Sequence, residues 1–173
     1  QLSVAGNISA TANEICVNEN VTLSLNNQLG NIIWQKSDNG ISWTDISGAN
    51  NSVYITNPLA ESQYFRAKIT NTPCDAAFTD SLKIDIIPGT SSGFTYSIDQ
   101  ATVTFTDNAE NADIYYWNFD DGSTSTEQNP THTFSENGTY TVMQKVFGEC
   151  NNDSTYKDIQ ITGVTISDIK NNK

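Results

Sequence analysis

The sequence predicts an all-β chain folded as two antiparallel β-sandwiches in series. Three observations carry that prediction. Apolar residues recur at every second position in short runs, the period of a strand with one buried face. Turn formers such as Asp38-Asn39-Gly40 and Asn137-Gly138 interrupt those runs, at roughly ten-residue intervals that suit a sandwich. No sustained 3.6-residue period appears, and no apolar run is long enough to cross a bilayer.

The elements follow in order. Val4, Ile8 and Ala10 mark an opening strand. Val21, Leu23 and Leu25 alternate with Thr22 and Ser24, and Ile32 and Trp34 share the next inward face. After the turn at Asp38-Asn39-Gly40, residues Ile41 to Ile46 are expected to return as a strand. Val53 to Thr56 is a further short strand. Phe65, Ala67 and Ile69 point one way and Arg66 and Lys68 the other, and Leu82, Ile84 and Ile86 close the set. Seven or eight such strands make one sandwich. Pro88-Gly-Thr-Ser-Ser-Gly93 reads as a linker. Phe94, Tyr96 and Ile98 then begin a second set, followed by Val103 and Phe105 and, at its end, Tyr156, Ile159 and Ile161. The predicted boundaries are 1–88, 89–163 and a connector, 164–173.

The centre of the second set is residues 115–142, YYWNFDDGSTSTEQNPTHTFSENGTYTV. Trp117 and Phe119 share a face two positions apart, Asp120-Asp121-Gly122 stops the strand, and Tyr140, Val142 and Val146 resume a period of two. The motifs WNFDDG (117–122), NPTHTF (129–134) and GTYTV (138–142) resemble, in order and spacing, those of the PKD domain. The resemblance covers about residues 93–162 and implies an immunoglobulin-like sandwich of the kind found in extracellular proteins. Asp120 stands where that family usually has Gly, in a turn that Asp tolerates. Gln144 stands where it usually has Leu, so its amide must find partners or reach an edge.

In the first half, ICVNENVTL (15–23), IIWQKSDNGISWTDISGA (32–49), QYFRAKIT (63–70) and LKIDI (82–86) resemble immunoglobulin-like repeats of secreted Bacteroidetes proteins, over about 7–87. Trp34 fits the buried tryptophan of such sandwiches, and Ala67 stands where an antibody domain would carry a cysteine. The resemblance also implies a Cys16–Cys74 bridge, whereas topology sets these two positions at opposite ends of a sandwich, too far apart for a disulfide. Both readings stand at this point. Cys150 falls in the last hairpin of the second sandwich, and an odd cysteine count leaves at least one thiol unpaired within a monomer. The tail TGVTISDIKNNK resembles the connector before the C-terminal sorting domain of type IX secretion cargo. The chain opens on Gln1, which predicts a piece of something longer.

Composition narrows the function. Of 173 residues, 16% are charged and the net charge is −12. Residues 1–88 carry four basic and eight acidic groups, the remainder four and twelve. A phosphate backbone or an anionic membrane surface would be repelled, so no nucleic-acid partner is expected, and with no spanning apolar run no membrane insertion is expected. A nucleophile–base pair needs a positioned histidine, and the single one, His132, lies in a structural motif. No enzyme is predicted.

Two ligand chemistries are left. Asp107, Glu110, Asp113, Asp120 and Asp121 place five carboxylates within 15 residues without an intervening cation, a candidate weak calcium site beside the simpler reading of solvated acidic loops. No other cofactor is implied. Trp43 and Tyr116 are candidate outward-facing aromatics that could stack on sugars or meet a protein. Asp80-Ser81-Leu82 and Asp153-Ser154-Thr155 resemble O-glycosylation acceptors of Bacteroidetes. The expected function is a non-catalytic spacer or interaction module of a secreted or cell-surface multidomain protein, with adhesion or contact to neighbouring domains as its role. The alternative is a carbohydrate- or matrix-protein-binding module that assists a secreted hydrolase.

Overall fold

The computed structural model describes residues 2–164, so the predicted connector from residue 165 onward lies outside the described residues. Contacts divide the chain into two units, Gln1–Pro88 and Gly89–Lys173. Every described element is a strand.

In the first unit, β1 (Asn7–Ala10), β3 (Thr22–Asn26) and β6 (Val53–Ile55) form one sheet in the order β1-β3-β6. The second sheet has the order β2-β9-β7-β4-β5, built from β2 (Glu14–Cys16), β9 (Leu82–Ile87), β7 (Gln63–Thr70), β4 (Asn31–Ser37) and β5 (Thr44–Asp45). A short β8 (Ala77–Phe78) also pairs with β7. The alternation read from the sequence is the packing: Leu23, Leu25, Trp34, Phe65, Ala67, Ile69 and Ile84 are buried together between the sheets. Trp34 donates its indole N–H to Asn51 O at 2.8 Å, so a large apolar ring is buried without an orphan donor.

Two expectations are corrected here. The return strand expected over Ile41 to Ile46 shrinks to two residues beside β4, because Ile46 N–H and Ala49 O both bond to Trp34 and the intervening residues form a turn closed by Ala49 N–H on Ile46 O. Ile41 is 82% exposed. One pairing is also parallel: β2 leaves the first sheet and runs beside β9, with Cys16 opposite Ile87.

The second unit repeats the plan. One sheet is β10 (Phe94–Asp99), β11 (Thr102–Asp107) and β14 (Thr131–Thr133) in that order. The other has the order β13-β12-β15-β16, from β12 (Ile114–Asn118), β13 (Thr124–Ser125), β15 (Gly138–Phe147) and β16 (Asn152–Ile161). Phe94, Val103, Phe105, Trp117, Phe119, Phe134, Val142, Ile159 and Ile161 make its core. Trp117 donates its indole N–H to Glu127 O at 2.9 Å, the same solution as at Trp34.

Gln144 is fully buried, and both its amide oxygen and its amide nitrogen are bonded. Its Oε1 accepts Gly93 N–H at 2.9 Å and its Nε2 donates to Asp107 Oδ1 at 2.6 Å. The predicted linker is correspondingly shorter. Thr90 and Asn151 exchange bonds, the Ser92 amide and hydroxyl donate to Asp153 Oδ2, and Gly93 bonds Gln144. Residues 90–93 are thus part of the second unit's structure.

Candidate functional site

The turn after β12 is built from its own polar side chains. Asn118 Oδ1 accepts the Asp120 N–H at 2.9 Å, and Asp121 Oδ1 accepts that of Ser123 at 2.9 Å. Asp120 adopts φ 65°, the left-handed conformation that its place in the motif requires. Its Oδ2 accepts Thr141 N–H at 2.9 Å, tying the turn to β15. Asp121 Oδ2 lies 2.7 Å from His132 Nε2. The imidazole stacks on Phe119 with centroids 4.2 Å apart and meets the edge of Phe134 at 4.6 Å. Burial alone would raise the Asp121 pKa; the His132 and Ser123 hydrogen bonds outweigh it and hold the carboxyl below its usual value. His132 is therefore spent on packing and on holding a turn.

The five carboxylates proposed for calcium are not brought together. Asp107 accepts from Gln144, Gln128 and the Ala109 amide. Asp120 and Asp121 serve the turn, and Glu110 pairs with Ser91 through its backbone. Asp113 is engaged through its backbone N–H, donated to Phe147 O. Among the described residues no group of three or more His, Cys, Asp or Glu could hold a metal ion. The residues are near in sequence, but Asp107, Asp120 and Asp121 bond to different partners within the domain.

The Cys16–Cys74 bridge is likewise corrected, since Cys74 is a free, half-buried cysteine. The register explains this. Cys16 sits opposite Ile87, beyond the end of β9 that pairs with Gln63 of β7, whereas Cys74 follows Thr70 at the far end of that strand. Eight residues of strand span roughly 25 Å, several times the reach of a disulfide.

Trp43 is half-buried, and one ring face is occupied. The Arg66 guanidinium carbon lies 4.2 Å from the Trp43 centroid and 4.3 Å from that of Phe78. Arg66 Nε donates to Gln35 Oε1 at 2.7 Å, and Gln35 Nε2 donates to Asp45 Oδ1. A cation sandwiched by two rings and oriented by a buried amide covers the outer face of β4 and β7. The sequence marked Arg66 only as outward-facing; no local spacing brings Trp43 and Phe78 to it.

Tyr116 is half-buried on the outer face of β12, opposite Lys145 of β15. Register puts Ile114, Phe147, Met143 and Tyr156 on that same face. Ile114 and Tyr156 are 60% and 61% exposed. The sheet therefore presents three aromatic rings, Tyr116, Phe147 and Tyr156, of which the sequence singled out one.

Two antiparallel sandwiches of this kind make the chain an all-β modular protein with immunoglobulin-like architecture. Residues 91–163 match the PKD domain family. The PKD1 domain of the metalloprotease PrtV from Vibrio cholerae is similar at 25% identity over 42% of this chain and 95% of that one, with a TM-score of 0.39. Residues 4–88 match a family described as a domain of unknown function (DUF8696). The three-domain ectodomain of mouse nectin-like molecule 4 aligns over 93% of this chain and 66% of its own at 11% identity, TM-score 0.53, a likeness of fold. Collagenase ColA of Bacillus cereus is 71% identical over 28 residues, which are 16% of this chain and 3% of that protein.

Proposed function

We propose that this chain is a non-catalytic spacer and interaction module of a secreted or cell-surface multidomain protein. The supporting observation is that the second unit is a PKD domain whose histidine and turn carboxylates are consumed by internal hydrogen bonds. The short similarity to a collagenase agrees with an accessory region carried beside a catalytic one. An origin in Bacteroidetes, with export by the type IX route, is part of this reading and rests on the sequence resemblance alone. Two rigid sandwiches hold a neighbouring domain at a distance while presenting loops at their ends.

A second reading, binding of polysaccharide or matrix protein, draws on the outer face of the four-stranded sheet, where Tyr116, Phe147 and Tyr156 share one side. Half-buried and exposed rings on one sheet face can stack on sugar faces. Depletion from solution by insoluble polysaccharides and by collagen separates the two readings, with Trp43→Ala and Tyr116→Ala beside the parent. Loss to one solid that Tyr116→Ala abolishes establishes the binding face; no depletion by any solid favours the spacer.

A further inference from the structure

We propose that the free edge of β6 in the first unit, with the cavity behind it, takes up an extended peptide segment of a partner protein by strand addition. The inference deepens the interaction-module reading and gives it a place.

Among the described residues β6 pairs only with β3. Leu25 N–H bonds Ser52 O and Thr56 N–H bonds Val21 O, while the register sets Ile55 opposite Thr22 and Val53 opposite Ser24. Antiparallel pairing alternates, so the N–H and C=O groups of Val53 and Ile55 point away from β3, toward the open edge. Their side chains are 53% and 59% exposed. Open edges are ordinarily blunted by charge, proline or polar side chains, because they template pairing. The second unit does so. β14 occupies the same edge position and displays Thr131 and Thr133, the latter bonded to Thr102. On its opposite edge, Lys157 caps the Phe94 carbonyl of β10. An apolar pair has been kept on β6 where the same architecture elsewhere carries threonine.

Behind that edge lies a cavity of about 430 Å3 floored by Ile46, Tyr54, Leu59 and Phe65. Tyr54 belongs to β6 itself. Side chains of an added strand alternate, so one residue would enter the cavity while its neighbours pack beside Val53 and Ile55. The rim carries Asp38 and Glu61 against one cation, Lys36, and the whole chain is −12. That field disfavours a second copy and selects a segment with an apolar residue flanked by Lys or Arg.

Panning a display library of short random peptides against the full chain tests this. Enriched sequences should alternate apolar residues and carry basic ones. A synthetic representative should bind at least about tenfold more weakly to a Val53→Thr/Ile55→Thr variant, which gives β6 the chemistry of β14. The variant should melt with the parent, since both side chains are exposed. Peptide should also slow hydrogen exchange at the Val53 and Ile55 amides, a signature only strand addition produces. No enrichment over the variant, or bound peptide without protection of those two amides, overturns the proposal and leaves the spacer reading intact. Self-association that the variant abolishes overturns it too, by making the occupant a second copy.

Discussion

Trp34 and Trp117 hold the same place in the two sandwiches. Each is fully buried on an interior strand of its larger sheet, and each sends its indole N–H to a backbone carbonyl of a following segment. Around that shared centre the units diverge. The first keeps its main polar network outside, where Gln35, Arg66 and Asp45 bond beneath Trp43. The second takes polarity inside, with Gln144 bridging Gly93 and Asp107 through a core position. A sandwich thus tolerates a polar core residue whose oxygen and nitrogen both find partners, and otherwise carries such groups on its faces.

The tryptophans give the largest test. Trp34→Ala and Trp117→Ala should each remove about 3–5 kcal/mol from the unfolding of its own unit in a urea titration; a much smaller loss at one would show that the centres are not equivalent. Gln144→Leu, which moves the second core toward the chemistry of the first, should cost about 1–3 kcal/mol by leaving the Gly93 N–H without a partner. A neutral or stabilised variant would refute the matched-network explanation. Arg66→Lys should lose about 0.5–1 kcal/mol, since an ammonium cannot stack between two rings as a guanidinium does, and the loss should vanish in a Trp43→Leu background.

A smaller effect is confined to acid. The Asp121 carboxyl is held low against the opposing effect of burial by His132 and Ser123, and that of Asp153 by the Ser92 amide and hydroxyl. A folded-state value below the unfolded one adds stability that is fully present above the unfolded value, about 3.9 for Asp, and is lost as pH falls through the folded one. Melting followed from pH 6 down to pH 2 should therefore flatten in Asp121→Asn and in Asp153→Asn. An acid limb as steep as the parent's would remove these two carboxylates from the account.

Much of this was legible in the chain. Period-two runs identified Leu23, Leu25, Phe65, Ala67 and Ile69 as core, because a half-buried strand imposes that period. Asp120 was legible as a turn residue tolerant of the left-handed region, and it is found there at φ 65°. Other features were hidden by distance along the chain. Five carboxylates clustered in sequence make no group of three that could hold a metal ion among the described residues, and Cys16 and Cys74 are separated by the length of β7. The Arg66 stack joins three elements with no sequence signal in common.

Alternation, turn residues and aromatic spacing are local properties of the chain, and they were enough to set the class, the two sandwiches and their buried faces. Which outward residues become partners was settled by the fold. Arg66 slots between Trp43 and Phe78, His132 locks Asp121, Gln144 closes on Gly93 and Asp107, and Val53 and Ile55 stay at an open edge. Each outcome depends on sheet order and register, which bring together residues that are distant in the chain, and neither follows from the pattern within any single strand.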